Sequence, residues 1–273
     1  MTSSVGWIHA LWLGVVQGLT EFLPVSSSGH LALAESYLNV TEGGVAFVVL
    51  LHAGTLLAIL IVFGRGLREL VVGGLAIPAQ LTRPIAAWRP DAIFAAKVVV
   101  ATIPGAIVGL SLEDHIDAAF GSVRIVGGLL LVTAAFLFAT RWAVPRDREV
   151  SWADALWIGC AQAFAILPGI SRSGATISAA LFLGIARPRA AEFSFIAAVP
   201  LILGSLILEF PELRSSAAAG GGPALFVGFL TSFVTGWIAL LWLVRLVRNG
   251  KLHWFAPYCA AAGIVALVAS RYA

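Results

Sequence analysis

The sequence predicts an all-α polytopic integral membrane protein, with six transmembrane helices and two re-entrant helical hairpins in an inverted-topology repeat. Three observations carry this expectation. Hydrophobic residues make up 60% of the 273 and charged residues 11%, against about 25% charged in soluble domains, so most helices must be apolar on every side. Six apolar stretches approach the roughly 20 residues that a membrane span requires. Residues 7 to 29, WIHALWLGVVQGLTEFLPVSSSG, also align without a gap on residues 152 to 174, WADALWIGCAQAFAILPGISRSG, at an offset of 152 − 7 = 145. The copies share Trp7/Trp152, Ala10/Ala155, Leu11/Leu156, Trp12/Trp157, Gly14/Gly159, Gln17/Gln162, Ser26/Ser171, Ser28/Ser173 and Gly29/Gly174, which marks an internal duplication.

In chain order, the first copy opens with two short apolar pieces, about 8 to 22 and 28 to 38, interrupted by LPVSSSG. A break of this kind at membrane depth leaves backbone groups unpaired, which is tolerated only where protein buries them or a wet cavity solvates them. The pair therefore reads as a hairpin entering and leaving by one face, with two kinked ordinary spans as the alternative. Spans follow near 45–63, 92–112 and 123–142. The loop from Gly64 to Asp91, with Pro78, Pro84 and Pro90, is expected to hold an interfacial helix near Leu67 to Leu81. The second copy repeats the hairpin at about 153–167 and 173–185 around LPGISRSG, and spans follow near 190–208, 225–246 and 255–269. The chain thus reads as a single membrane domain, 1–273. Its first repeat runs over 1–142 with a hairpin at about 8–38, and its second over 146–273 with a hairpin at about 153–185.

Basic residues set the orientation. Arg65, Arg68, Arg83 and Arg89 lie between spans one and two, Arg141, Arg146, Arg148, Arg187 and Arg189 between three and four, and Arg245, Arg248 and Lys251 between five and six. Alternate loops face the same side, and the other side carries Glu113, Asp114, Asp117, Glu209 and Glu212. By the positive-inside rule the basic loops are cytoplasmic and both termini lie outside. The first hairpin then enters from outside and the second from the cytoplasm, so their tips can meet near the midplane. Topology accounts for the net charge of +3, which gives no reason to expect nucleic acid as a partner. No glycine-rich nucleotide loop occurs in context. Cys160 and Cys259 lack metal-ligand spacing and read as buried, inert thiols. The N-terminus lacks basic residues before an apolar stretch, so no removable signal peptide is expected.

The tips carry the chemistry. Pro24 ends one helix and Ser26, Ser27 and Ser28 suit the N-cap of the next; Ser171, Arg172 and Ser173 repeat the arrangement. A helix N-terminus offers free N–H donors and partial positive charge, so each tip is an anion cradle. Two such termini plus a guanidinium, which grips phosphate oxygens bidentately, favour a phosphate or diphosphate ligand. The copies differ where chemistry would need them to: Glu21, Ser27 and His30 face Ile166, Arg172 and Ala175. Gln17 and Glu21, four residues apart, share one helical face, as His30 does with Ser26 and Ser27. This set suits phosphoryl transfer, with Glu21 as metal ligand or base, a serine hydroxyl or water as nucleophile, and His30 as general acid or base. His52 is read as a packed histidine rather than one lining the cavity. Glu192 and Ser194 are read as structural, Glu192 pairing with Arg189 or Arg187, and Lys97 as snorkelling toward the cytoplasm.

QGLTEFLPVSSSGH at 17–30 and LPGISRSGATIS at 167–178 resemble the two signature segments of the undecaprenyl-diphosphate phosphatase family of the bacitracin-resistance type. KVVVATIPGAIVG and AAEFSFIAAVP fit it too, and the similarity extends over nearly the whole chain. The resemblance implies an enzyme of the bacterial inner (plasma) membrane, with its active site opening outward. Its activity would be hydrolysis of undecaprenyl diphosphate to the monophosphate and inorganic phosphate. That would recycle the lipid carrier for peptidoglycan and other envelope polymers and confer bacitracin resistance. A divalent cation, Mg2+ or Ca2+, is also implied. The family's motifs fall on Gln17 and Glu21, on Ser26, Ser27 and Ser28, on His30, and on Ser171, Arg172 and Ser173. Many members carry glutamate at the position of Gln17, so here Glu21 holds the charge by itself.

The rival reading is a polyprenyl lipid flippase or secondary transporter, because inverted repeats with broken helices are the architecture of alternating access. The other large lipid phosphatase class shares Ser-Gly-His and Ser-Arg, but needs a further histidine and aspartate that residues 173–183 lack. Membrane lipids are expected neighbours. The sequence leaves open whether the molecule is a homodimer.

Overall fold

The computed structural model describes residues 6–38, 44–216 and 222–271. The chain ends, and part of the outer loop expected over 212–222, lie outside the described residues. The elements in chain order are α1 (Trp7–Phe22), α2 (Ser27–Leu38), α3 (Gly44–Val62), α4 (Gly64–Gln80), α5 (Pro90–Ser111), α6 (Glu113–Phe120) and α7 (Val123–Ala139), followed by α8 (Trp152–Phe164), α9 (Arg172–Phe182), α10 (Arg187–Ser216), α11 (Gly222–Arg248) and α12 (Ala256–Ala269). No strand occurs among the described residues. Among the described residues five helical segments are long and apolar enough to cross a membrane: Pro90–Ser111, Val123–Trp142, Arg187–Leu208, Gly222–Arg248 and Leu252–Ala269. A sixth is reached when α3 is counted with α4, to which it joins at a bend of 95°.

The bend follows from local sequence. Gly64 and Gly66 weaken the helix just past Phe63, and Gly66 and Gly73 let α4 cross two neighbours closely. Gly66 faces Ile196 and the Glu192 side chain near the start of α10, and Gly73 abuts the backbone of Asp91 and Ala92 at the start of α5. A helix that touches the opening turns of two spans lies across their ends. Val71 and Leu75 on α4, and Leu81 just past its end, stay exposed, as an interfacial helix requires.

The two halves exchange helices. The chief partner of α1 is α11, from the second half, whereas the chief partner of α8 is α5, from the first. Small residues make both contacts: a Cβ on Gly14 would come 2.6 Å from the Gly228 carbonyl oxygen, and one on the equivalent Gly159 the same 2.6 Å from that of Ala101. With little hydrophobic drive between helices in lipid, such close backbone approach supplies the packing energy. The shared tryptophans do the opposite. Trp12 and Trp157 are each 63% exposed, so they face lipid and contribute no core. The largest buried cluster is built around Phe193, Phe195 and Ile196 of α10, with Phe22, Ile59, Val98, Ile158 and Ile177 from both halves.

Ahead of the second hairpin, Ser151 and Asp154 form a reciprocal capping box at the start of α8. Arg148 clamps the Asp154 carboxylate with two hydrogen bonds, 2.6 and 3.0 Å. Arg189 pairs with Glu149, and Lys97 Nζ donates to the Val150 carbonyl at 2.6 Å while lying over the Trp152 ring. Arg189 is thus taken by Glu149, and among the described residues Glu192 forms no ion pair with either Arg189 or Arg187. Cys259 is buried but Cys160 is exposed on the outer face of α8, because its helix position turns it away from α5.

Candidate active site

Each tip is a helix break rebuilt by a serine cap. After α1 the chain turns extended at Leu23, and Ser26 adopts φ 68°, a left-handed conformation unfavourable for a residue with a Cβ. From there Ser26 Oγ accepts from the Gly29 N–H at 3.2 Å and its carbonyl accepts from the His30 N–H at 3.1 Å, starting α2. In the second tip Ser171 Oγ accepts from the Gly174 N–H at 3.1 Å and its carbonyl from the Ala175 N–H at 2.8 Å. The Ser26 to Ser28 and Ser171 to Ser173 hydroxyl pairs are both 3.3 Å apart. The duplicated sequence therefore makes the same cap twice.

The tips touch. Ser26 Oγ also accepts from the Gly169 N–H at 3.1 Å, and a Cβ on Gly174 would lie 3.2 Å from Pro24. Gly169 has φ 104° and its carbonyl accepts from Thr133 Oγ1 of α7 at 2.7 Å. Pro24 is its counterpart by the offset of 145, and the Pro24 carbonyl accepts from the Cys259 thiol of α12 at 3.3 Å. Each tip is thus tied down by one side chain from the last long helix of a half.

At this junction Glu21, 6% exposed, is the hub. Arg172 of the second tip donates to its Oε1. Its Oε2 accepts from Gln17 Nε2 and from Ser27 Oγ, both at 2.9 Å, and His52 Nε2 of α3 stands 3.4 Å away. A buried carboxylate must be paired and hydrogen-bonded to be tolerated, and both oxygens are. His52 is held by its Nδ1, which donates to the Val48 carbonyl at 2.8 Å. A cavity of about 140 Å3 opens beside this cluster, lined among others by Glu21, Ser27, Ser28, His52 and Arg172.

Of the residues singled out from sequence, Ser27, Ser28 and Arg172 line the cavity partly open, Glu21 lines it buried, and Ser26 and Ser171 line it while spending their hydroxyls on the caps. Gln17 stands behind Glu21, fully buried, with its Oε1 unpartnered. Ser173 is buried against Ser171. His30 lies outside the cavity: its Nδ1 bonds the Ser26 carbonyl at 2.8 Å and its Nε2 the Tyr258 hydroxyl at 2.6 Å, the two rings stacked. The histidine that meets Glu21 is His52, which the sequence reading set aside as a packed residue. Its position inside a span was the available signal, since an ionisable residue there is a functional candidate by default. Thr133, Cys259 and Tyr258 carried none.

The model of the bacitracin resistance protein BacA family matches residues 10–265, which takes in both tips and both halves. The chain belongs to the BacA family. Among similar proteins, the undecaprenyl-diphosphatase of Korarchaeum cryptofilum is 44% identical over 259 residues, 95% of this chain and 97% of that protein. That of Desulfatibacillum aliphaticivorans is 42% identical over 273 residues, with 97% and 99% covered. That of Bacteroides fragilis is 39% identical over 271 residues, with 97% and 98% covered. In the BacA family frame, the Glu21 hub and both serine caps fall within the matched region.

Among the described residues no three His, Cys, Asp or Glu side chains converge as a metal site. Glu21 is the sole carboxylate of the cavity, and both its oxygens are engaged by protein donors, one of them a guanidinium. This donor set does not fit a resident divalent cation.

Proposed function

We propose that this BacA family protein hydrolyses undecaprenyl diphosphate to undecaprenyl phosphate and inorganic phosphate, using Ser27 as nucleophile. The observation that carries this is the 2.9 Å hydrogen bond from Ser27 Oγ to Glu21 Oε2, placed between two helix N-termini and beside Arg172. A hydroxyl donating to a carboxylate is the pairing of a nucleophile with its base. Ser27 Oγ would attack the terminal phosphorus as its proton passes to Glu21. The new O–P bond forms as the bridging P–O bond breaks, and undecaprenyl phosphate leaves. Water then cleaves the phosphoserine and returns the hydroxyl. Arg172, the free N–H groups of α2 and α9, and the Ser28 hydroxyl bind the non-bridging oxygens, whose charge is stabilised most where water is excluded. Gln17 and His52 hold the Glu21 carboxylate in place.

Mg2+ or Ca2+ belongs in this reading as a companion of the diphosphate, whose oxygens can supply the ligands that the protein lacks. The hairpins are re-entrant in this proposal: α1, α2, α8 and α9 have 16, 12, 13 and 11 residues, about 24 Å at most at 1.5 Å per residue, short of a hydrocarbon core of about 30 Å. The exchanged partners of α1 and α8 support an inverted repeat. With the basic loops cytoplasmic, both termini lie outside and the cavity opens outward, where the lipid headgroup waits.

The test is phosphate release by purified protein in detergent, where no compartments exist for a transporter to separate. Release by wild type, and its loss in Ser27→Ala with substrate binding retained, is expected. Binding without release by wild type would revive the flippase reading, which no present observation favours.

A further inference from the structure

Two cavities open at the basic face, and they differ in charge. The larger, about 990 Å3, is lined by Arg65, Arg89, Lys97 and Arg189 against Glu69, Asp91, Glu149 and Glu192. Its charges cancel and largely pair: Arg65 with Glu69, Arg89 with Asp91, Arg189 with Glu149. The fourth cation, Lys97, is engaged by the Val150 carbonyl and the Trp152 ring, so no pair of uncompensated cations remains there. The smaller, about 520 Å3, lies between the α3–α4 bend, α10 and α11, and sets Arg65, Arg245 and Arg248 against Glu192 alone. Arg65 is already paired with Glu69, so Arg245 and Arg248 against Glu192 leave an excess of one positive charge. Among the described residues neither Arg245 nor Arg248 forms an ion pair, and their spacing of three puts them on one helical face.

The remaining walls are apolar. Val62, Phe63, Leu241 and Val244 line the notch, and Leu241 is 49% exposed. Aromatic residues mark the expected membrane boundary at this level. Trp242 and Trp254 are exposed, Lys251 lies over the Trp254 ring at 4.3 Å, and exposed tryptophans gather at the headgroup region. The α11 dipole favours cations in its last turn, but that is satisfied by arginines pointing anywhere and does not require them to share a notch with Arg65 from another helix.

We infer that this notch binds an anionic glycerophospholipid, its phosphate under Arg245 and Arg248 and its acyl chains along Leu241, Val244 and Phe63. Basic pockets between helices on the cytoplasmic side suit this chemistry. The site is separate from the Glu21 cavity and does not depend on hydrolysis.

The test uses full-length protein, delipidated in neutral detergent and titrated with phosphatidylglycerol or with phosphatidylcholine of the same chains, read by native mass and by shift in Tm. Phosphatidylglycerol should bind and stabilise selectively. Arg245→Gln with Arg248→Gln should weaken it roughly 30-fold, at about 1 kcal/mol per basic residue and 1.4 kcal/mol per tenfold. Hydrolysis of a water-soluble isoprenyl diphosphate should be unchanged. Should the double variant misfold, Arg65→Gln, on a side chain 92% exposed, should still weaken binding about fivefold. Arg141→Gln, on the same face but packed on Phe138 and Trp142, should leave it unaltered. Equal binding of both lipids, wild-type affinity in the double variant, or an equal loss in Arg141→Gln would overturn the inference. So would displacement of the lipid by inorganic phosphate at concentrations comparable to the lipid's, since the site would then take a free anion.

Discussion

Ser26 Oγ accepts two backbone N–H groups, from Gly29 in its own helix and from Gly169 in the other tip, 143 residues away in sequence. It does so from a left-handed backbone conformation, so the strain at Ser26 is held in place by the junction it closes. Ser26→Ala should leave two buried donors unsatisfied and lower stability by about 2–4 kcal/mol. Ser26→Gly loses the same bonds but removes a conformational cost of about 1–2 kcal/mol, so its Tm should fall less. An alanine variant as stable as wild type would show that the two tips do not depend on this hydroxyl.

Glu21 and Ser27 share one proton-transfer step, so their substitutions should not add. Ser27→Ala and Glu21→Gln should each reduce phosphate release by at least about 100-fold, with the double variant little worse than either. His30 contacts Tyr258 and the Ser26 carbonyl instead, so combining His30→Ala with Glu21→Gln should multiply the two losses. Additive Ser27 and Glu21 effects on the activation free energy would separate the supposed nucleophile from its base.

His52→Ala should reduce turnover while the Tm stays near wild type, because the ring lies at the cavity and not in the core. His52→Gln should recover part of the loss, since its amide can donate to Glu21 from a similar position. A fully active alanine variant would return His52 to a packing role.

Arg172→Lys keeps a positive charge near Glu21 and should fold, but a point charge cannot grip two phosphate oxygens as a planar fork does. Transition-state stabilisation should drop by about 2–4 kcal/mol, measured as kcat/KM in detergent. Near-normal turnover would make Arg172 a partner of Glu21 only.

Orientation is checked by reporters. One in the 78–90 segment should read inside, and ones after residue 273 and within 212–222 outside, as the basic loops demand. A cytoplasmic C-terminus would reverse the proposed opening of the cavity.

The helical architecture was readable in sequence because composition and apolar length act on whole segments: five of the expected spans fall on helices long and apolar enough to cross a membrane, while the first, near 45–63, reaches that only together with α4 across its bend. The meeting of the tips was readable because the copies diverge in complementary ways: Glu21 and Ser27 in one, Arg172 in the other. His52 was passed over because a lone histidine in an apolar run also satisfies a carbonyl such as that of Val48, which it does. Thr133 and Cys259 were invisible for a different reason. Their partners are backbone carbonyls of another element, and carbonyls have no residue type to recognise.

The exchange of helices between halves also sets an order of events during synthesis. The small-residue face of α1 finds its partner only when α11 exists, and the chain from Phe22 to Gly222 is 222 − 22 = 200 residues long. At about 5–20 residues per second, that is on the order of 10–40 s. Glu21 spends much of this interval without Arg172, a state that lipid would penalise and water would not. A newborn α1 is therefore expected to wait at the membrane surface and sink to its final depth late, after the second half has been made.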